Sequence, residues 1–362
     1  MTAPKPQSGI LDITPYQGGQ STAAGVERII KLSSNESPLG PSPRAIAAYQ
    51  AQALALHRYP DGNSGALAAA LARHYALEPE RIVCGNGSDE ILALLAQAYA
   101  GPGDEVLYSQ YGFLMYPITA RANGAVPIAA PERNLVADVD AILARVTPKT
   151  RVVFLTNPNN PTGSYLPDEE VRRLHRGLPE DVLLVIDAAY AEYVGRNDYN
   201  PGIELVRASD NVVMTRTFSK IYGLAGLRVG WAYMPAAVAA VLQRVRGAFN
   251  VNAPAQAAAV AALADIAYTD AARTHNDIWL AWLARELGAR GLEVAPSVAN
   301  FLLVRFPASP RDARAADAFL AQRGILLRAM RAYGLDDCLR VSVGTEEECR
   351  LLLRGLSEFM TS

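Results

Sequence analysis

Hydrophobic and polar positions along the chain alternate in blocks with the spacing of helices and strands. Apolar positions at helical spacing predict helices at Ala45–Leu56, Gly65–Tyr75 and Ser88–Tyr99. Compact β-type runs lie at Arg81–Cys84, Glu105–Tyr108, Val126–Ile128, Arg151–Leu155, Leu183–Ile186 and Val212–Thr215. Strands separated by helices in this order predict an α/β domain with a mostly parallel sheet.

The pattern changes near residue 250. Asn252 and Pro254 stand where a cap and a first-turn proline would begin a long alanine-rich helix. Further β-type runs at Phe301–Phe306, Gly324–Arg328 and Leu339–Val343 alternate with helical runs at Asp312–Gln322 and Glu346–Phe359. Because 362 residues exceed what one core usually serves, we expect two domains. The predicted organisation is an N-terminal arm (1–40), a large domain (41–250) and a small C-terminal α/β domain (251–362) that packs with part of the arm.

Composition limits the classes of partner. The formal net charge of −2 gives no global attraction to nucleic acid or to an anionic membrane. Cys84, Cys338 and Cys349 lack the spacing of a metal site, so we expect reduced thiols and no metal. The first residues lack the apolar core of a signal peptide, and the longest uncharged apolar run, near 257–264, is too short to span a bilayer. These features predict a cytoplasmic protein that acts on small molecules, without a nucleic-acid or membrane partner.

Polar residues follow several of the predicted strands. They are the Gly-Asn-Gly-Ser after Cys84, the Thr-Asn-Pro-Asn-Asn after Leu155, the Asp after Ile186, and the Arg-Thr-Phe-Ser-Lys after Thr215. The carboxyl ends of parallel strands form the ligand-binding edge of such a sheet. We therefore expect these four segments to meet at one crevice.

The side chains at these strand ends suit a pyridoxal phosphate site. Residues 217–228 place Lys220 among hydroxylated residues and put Arg228 eight positions further on, which provides an amine for a Schiff base and a phosphate donor. The helix start at Ser88 can hold a phosphate, although the segment 85–90 alone fits a plain turn equally well. Asp187 fits either a helix cap or a carboxylate that keeps a pyridine nitrogen protonated.

Seven motifs in this order resemble those of the fold-type I, pyridoxal-phosphate-dependent aminotransferases, and most closely the histidinol-phosphate aminotransferase group. The motifs are Asn35-Glu-Ser-Pro-Leu-Gly-Pro-Ser-Pro, Tyr59-Pro-Asp-Gly, Gly85-Asn-Gly-Ser-Asp-Glu, Asn157-Pro-Asn-Asn-Pro-Thr-Gly, Asp187-Ala-Ala-Tyr, Ser219-Lys and Leu339-Arg-Val-Ser-Val-Gly. The resemblance extends from about Tyr16 to Thr345. It implies a large domain with a mostly parallel seven-stranded sheet between helices, and a smaller C-terminal α/β domain.

The resemblance also implies a role for each matching residue. Lys220 would bind the cofactor and move the substrate proton, Asp187 would contact the pyridine nitrogen, and Tyr190 would contact the ring hydroxyl together with Asn160. The expected phosphate ligands are Gly87, Ser88, Asp89, Thr217, Ser219 and Arg228. Phe113 would stack on the ring. Tyr59 would reach the cofactor of a neighbouring subunit, which implies a homodimer with shared active sites.

The substrate is expected to contact Tyr16, Asn35, Arg328 and Arg340, where the family binds a substrate phosphate in place of an α-carboxylate. The implied reaction is amino transfer between L-histidinol phosphate and 2-oxoglutarate through a pyridoxamine form. Two alternatives remain open at this point, an aromatic-amino-acid aminotransferase and a decarboxylase of a phosphorylated amino acid. Arg331 adds a charge that either strengthens phosphate binding or faces solvent. The chain lacks the complete motifs of a dinucleotide-binding oxidoreductase and of a serine hydrolase. A transcription regulator built on this fold is not expected either, since no helix-turn-helix extension precedes residue 40.

Overall fold

A seven-stranded sheet forms the centre of the larger part of the protein. The structure is a computed structural model and describes residues 4–361. Its strands are β1 Ile30–Lys31, β2 Ile82–Gly85, β3 Glu105–Ser109, β4 Val126–Ala130, β5 Glu132–Arg133, β6 Val136–Ala137, β7 Thr150–Thr156, β8 Leu183–Asp187, β9 Val212–Thr217, β10 Gly230–Tyr233, β11 Glu293–Val294, β12 Phe301–Arg305, β13 Ile325–Leu326, β14 Arg328–Ala329 and β15 Cys338–Ser342. The central sheet has the order β2-β10-β9-β8-β7-β3-β4, in which only β10 runs antiparallel to its neighbours.

Helices cover both faces of this sheet. The helices of the described chain are α1 Pro43–Ala51, α2 Gly65–Tyr75, α3 Ser88–Tyr99, α4 Met115–Ala122, α5 Val139–Leu143, α6 Asp168–Gly177, α7 Ile203–Arg207, α8 Ala236–Val245, α9 Ala253–Ala264, α10 Ile266–Gly288, α11 Ala313–Ala321 and α12 Glu346–Thr361. One core packs the sheet against α2 and α9, and the other packs it against α3 and α8. Between residues 4 and 361, none of the helices is long and apolar enough to cross a membrane.

The predicted α/β class and mostly parallel sheet are confirmed. Two helices, Gly65–Tyr75 and Ser88–Tyr99, have the predicted bounds, and Asn252 caps α9 by accepting a hydrogen bond from the N–H of Ala255 at 2.8 Å. Strand β10 was not predicted, because two of its four residues, Gly230 and Ala232, are of types depleted in strands. It lies between β2, which precedes the start of α3, and β9, which precedes Lys220. It therefore brings the ends of these two strands close together.

The C-terminal part of the chain forms a second, smaller core. Strands β11, β12, β15 and β14 make an antiparallel sheet, which packs with α10, α11 and α12. Part of the N-terminal arm joins it, since β1 pairs with β13 and both Ile30 and Leu32 are buried in this core. Helix α9 packs instead in the large core, against α1 and α2. The domain boundaries at residues 40 and 250 stay predictions.

Candidate active site

The carboxyl ends of the parallel strands and the N-terminal arm enclose a cavity of about 250 Å³. Most of the predicted site residues line it: Tyr16, Asn35, Ser88, Asp89, Phe113, Asn160, Asp187, Tyr190, Thr217, Ser219, Lys220, Arg228, Arg328 and Arg340. They come from both domains and from the arm. The cavity therefore lies where the large core, the small core and the arm meet.

Lys220 lies in the turn that follows β9. Its Nζ donates a hydrogen bond to the backbone oxygen of Ser34 at 3.3 Å and lies 5.6 Å from the centre of the Tyr190 ring. Burial, followed by the positive charge of Arg340, lowers the pKa of the Lys220 ammonium to about 8. A neutral amine attacks a carbonyl carbon and accepts a proton, so the site favours the form of lysine that both reactions need.

Asp187 is the last residue of β8 and is buried at the floor of the cavity. Tyr116 donates a hydrogen bond to its Oδ2 at 3.0 Å, and Thr215 donates to its Oδ1 at 3.3 Å. Burial raises the pKa of the Asp187 carboxyl to about 6, against the hydrogen bond from Tyr116, which lowers it. A buried carboxylate with donors on both oxygens suits a partner that brings a positive charge, such as a protonated ring nitrogen.

The start of α3 and Arg228 form an anion site at one end of the cavity. No side chain caps the first N–H groups of α3. Arg228 donates to the Ser219 hydroxyl at 3.3 Å and pairs with Asp89 at 3.4 Å. Gly87 has a φ of +87°, and a Cβ there would lie 2.4 Å from an Arg228 nitrogen, so only glycine leaves room for the guanidinium. Helix N–H groups, hydroxyls and a guanidinium together fit a phosphate.

Asn160 and Tyr190 lie between the two ends of the cavity. Oδ1 of Asn160 accepts a hydrogen bond from Arg340, which leaves the amide N–H groups of Asn160 to donate. The Tyr190 hydroxyl accepts a hydrogen bond from Asn35 at 3.0 Å, which leaves its own proton to donate. Burial raises the pKa of Tyr190 to about 12, so the hydroxyl keeps that proton. Both side chains therefore keep a donor for a bound ligand.

Arg340 forms the second cationic end of the cavity. It is buried, and its Nη2 donates to the backbone oxygen of Ser33 at 2.9 Å. Its Nε is buried and has no hydrogen-bond partner among the described residues. Arg328 lies nearby, where it donates to the backbone oxygen of Gln17 and stands 5.9 Å from the centre of the Tyr16 ring. Two guanidinium groups at one end can bind a dianion.

Phe113 and Tyr16 form an aromatic wall of the cavity. Their ring centres are 6.3 Å apart with an interplanar angle of 75°. Arg331 is exposed and does not line this cavity. It lines an adjoining one of about 590 Å³ together with Tyr16 and Arg328.

Two predicted cofactor residues do not line the cavity. Gly87 lies directly behind Arg228, as described above. Tyr59 is 82% exposed and stacks on Phe249 with ring centres 4.6 Å apart. Within one chain Tyr59 therefore lies outside the site, which leaves its ring free to contact another molecule.

Three contributors to the site were not predicted from the sequence. Tyr116 holds Asp187, Ser34 holds Lys220 through its backbone oxygen, and Glu36 lines the cavity and pairs with Lys31 at 2.7 Å. Tyr116 lies in the first turn of α4, three positions after Phe113, and this spacing could have identified it. A backbone oxygen leaves no signal in the sequence. No cluster of His, Cys, Asp or Glu that could hold a metal ion occurs in the described part of the chain.

Comparisons with known proteins agree over nearly the whole length. The model of the family "Aminotransferase class I and II" matches residues 27–356. The chain is 60% identical over 361 residues to the histidinol-phosphate aminotransferase of Paramagnetospirillum magneticum and 57% identical over 360 residues to that of Rhodospirillum centenum, with 99% of each chain covered. The solved structure of histidinol-phosphate aminotransferase from Sinorhizobium meliloti in complex with pyridoxal-5′-phosphate is 30% identical, with a TM-score of 0.88 and 99% of both chains covered.

Proposed function

The chain belongs to the class I and II aminotransferase family, within the group of the histidinol-phosphate aminotransferases, and on that premise we propose that it transfers an amino group from L-histidinol phosphate to 2-oxoglutarate. The products are imidazole acetol phosphate and L-glutamate, and the cofactor is pyridoxal 5′-phosphate. This is a step of histidine biosynthesis. The resemblance found in the motifs is thereby confirmed. The observation that carries the proposal is a lysine amine placed between two separate anion sites in one cavity.

The residues of the cavity fit pyridoxal phosphate. The uncapped start of α3, Ser219 and Arg228 would hold its phosphate, and Asp187 would hold the ring nitrogen. Asn160 and Tyr190 would donate to the ring oxygen. When bound, the cofactor supplies a carbonyl carbon for the amino group and a ring that withdraws electrons from the substrate α-carbon. Phe113 lies on the cavity wall, where its ring can cover the cofactor.

Lys220 is proposed to take the proton from the substrate α-carbon. Its pKa of about 8 keeps a useful fraction of neutral amine at neutral pH, and it becomes a cation after it has accepted the proton. Asp187 would supply the negative charge for the ring nitrogen. Asp187 is buried, so a contact with a ring nitrogen would be strengthened by its low-dielectric surroundings.

Arg340 and Arg328 are proposed to hold the phosphate of the substrate, and Tyr16 to cover it. Their positions support this, because Arg340 and Arg328 line the cavity beside the arm at Ser33 and Gln17, whereas Arg228 is held by Ser219 and Asp89 at the start of α3. In the second half of the reaction, the α-carboxylate of 2-oxoglutarate or glutamate would take the place of the phosphate at Arg340. A carboxylate carries less charge than a phosphate, so it depends less on the second arginine.

Arg328→Ala is expected to lower kcat/KM for histidinol phosphate by roughly 10–100-fold, because one charge-assisted contact to the phosphate is lost. The loss for phenylalanine should stay within about threefold. Steady-state kinetics with both substrates measure this difference. Arg331→Ala is the matched control, since this arginine lies outside the cavity, and it should change neither value.

Equal losses for both substrates would contradict the assignment of Arg328 to the phosphate. The wild-type values decide between the two leading functions. If phenylalanine or tyrosine gives the higher kcat/KM in the wild type, the protein is an aromatic-amino-acid aminotransferase, and the aromatic wall of Tyr16 and Phe113 would then contact the substrate ring.

We further propose that the protein is a cytoplasmic homodimer with shared active sites. Exposed apolar side chains support the dimer: five of them lie within residues 46–59, namely Ile46, Tyr49, Leu54, Leu56 and Tyr59, and Phe249 stacks on Tyr59. Leu54 is 92% exposed, which favours an interface over a solvated surface. Free, buried cysteines fit a reducing compartment.

Leu54→Asp is expected to shift the protein from dimer to monomer at micromolar concentration, because the charge would be buried in the interface. Specific activity should fall at least about tenfold, since Tyr59 could no longer reach the second active site. Light scattering and activity at the same concentration measure both effects. Ile278→Asp, at an exposed position on α10, is the control and should stay dimeric. A monomeric wild type would rule out this part of the proposal.

A further inference from the structure

The half-buried Glu132 and the buried Asn159 form a polar contact outside the lining of the active-site cavity. Oε1 of Glu132 accepts a hydrogen bond from the N–H of Tyr111 at 3.1 Å and another from Nδ2 of Asn159 at 3.3 Å. Its second oxygen, Oε2, is buried without a hydrogen-bond partner, and so is Oδ1 of Asn159. Two acceptors without a donor, on two side chains already in contact, are unusual in a protein interior.

One proton on Glu132 would supply the missing donor. A carboxylic acid and a carboxamide pair through two hydrogen bonds, N–H to C=O and O–H to C=O. The N–H bond of this pair is present. With a proton on Oε2, Glu132 could donate to Oδ1 of Asn159, so that both unpartnered oxygens would be satisfied at once.

The surroundings of Glu132 favour the neutral acid. The groups that face it are Ser109 on β3, Tyr111 after it, and Asn159 after β7; the facing residue of β6 is the apolar Ala137. None of these carries a charge, and the neighbouring Arg133 pairs with Asp138 at 3.1 Å. Burial raises the pKa of Glu132 to about 7, although the Ser109 hydroxyl and the N–H groups of Tyr111 and Asn159 that face the carboxyl lower it.

The contact joins two loops that enter the active site. Tyr111 precedes Phe113 by two residues, and Asn159 precedes Asn160 by one. Nδ2 of Asn159 also donates to the Thr162 hydroxyl at 3.0 Å, which fixes the second loop internally. We propose that Glu132 is a positioning residue that is protonated at mildly acidic pH, donates this proton to Asn159, and thereby holds the loops of Phe113 and Asn160 against the cofactor.

This inference rests on the proposed function, because the cofactor reports on the loops. It also gives a direction with pH. The protonated pair is complete at low pH, and it is lost as the pH rises through the raised pKa of Glu132. Above that pH a charged oxygen faces the Asn159 oxygen, the two repel, and the loops loosen.

Glu132→Gln tests the proposal, because the glutamine amide donates where the acid O–H would and cannot titrate. The Kd of pyridoxal phosphate for cofactor-free protein is measured by fluorescence from about pH 6 to about pH 8.5 in both proteins. Titration of the cofactor and of Lys220 changes the Kd of both proteins alike, so it cancels in the ratio of the two values. We expect the ratio of wild-type to variant Kd to be near 1 at the acidic end and to rise roughly tenfold with a midpoint near 7.

A ratio that stays constant with pH would overturn the proposal. A constant ratio is the result expected if Glu132 were ionised throughout, or if a water molecule satisfied both oxygens. Glu180→Gln, at an exposed position, is the control and should give a constant ratio. If wild-type protein does not bind pyridoxal phosphate at all, the proposed function fails, which is a different result.

A second measurement is independent of whether Glu132→Gln folds. In wild-type protein with carbon-13 in its glutamate carboxyl groups, nuclear magnetic resonance should show a carboxyl that titrates near 7 instead of the ordinary value of about 4.3. Asn159→Ser should move the midpoint of this carboxyl and leave that of the buried Glu192 unchanged. If no carboxyl that titrates near pH 7 responds to Asn159→Ser, the assignment is refuted.

Discussion

Lys220→Ala is expected to lower kcat for amino transfer by at least about 10⁴-fold, because one change removes both the nucleophile that binds the cofactor and the base that moves the substrate proton. The purified wild type should be yellow, and borohydride should fix the cofactor to Lys220, where mass spectrometry of the digested protein locates it. Lys149→Ala, at an exposed lysine, is the control and should keep both colour and activity. A colourless Lys220→Ala protein that still turns over substrate would refute the cofactor role.

The pH dependence of cofactor capture follows from the same lysine. Only the neutral amine reacts, so the capture rate of cofactor-free protein should rise about tenfold per pH unit below the Lys220 pKa of about 8 and become constant above it. A free lysine side chain should keep rising to about pH 10.4, its ordinary pKa. Stopped-flow absorbance measures both. A protein curve that follows the free lysine would mean that the site does not lower this pKa.

The position of the active site could be predicted from the sequence because its main residues end buried strands. Strand β8 has five buried residues and ends at Asp187, and Lys220 follows the end of β9 by three residues. Parallel strands bring such ends to one edge. The order of these segments along the chain was therefore enough to predict that they lie close together, without knowledge of side-chain packing. The helix start at Ser88 follows the same rule, since β2 lies in the same sheet.

Contacts between distant segments could not be predicted in this way. Arg340 reaches the backbone oxygen of Ser33 across 307 positions, and it does so only because β1 joins the small domain. Neither the strand pairing nor a backbone acceptor has a local sequence signal. Glu132 is a similar case: it stands in a two-residue strand, and its role depends on which oxygen atoms are buried beside it. The hydrophobic pattern of a sequence predicts which side chains are buried, but it does not predict which single polar atoms are buried.

Asp187→Asn is expected to lower kcat by roughly 10²–10³-fold, because the negative charge that keeps the cofactor ring nitrogen protonated is replaced by a neutral amide of the same shape. The ring then withdraws electrons poorly from the substrate α-carbon, while the geometry of the site is kept. Steady-state kinetics measure the loss. Asp181→Asn is the matched control, since it lies 73% exposed two residues before the same strand.

The affinity for pyridoxal phosphate separates this role of Asp187 from a merely structural one. In the cofactor-free cavity burial raises the pKa of Asp187 to about 6, and a bound ring cation would lower it. The carboxyl must therefore lose a proton to bind, and wild-type affinity should fall as the pH decreases through about 6. Asp187→Asn should lack this fall and bind weakly at every pH. Tyr116→Phe should keep the fall but move it to higher pH, because the hydrogen bond that lowers the Asp187 pKa is lost. An Asn variant with the wild-type pH curve would assign the titration to another group.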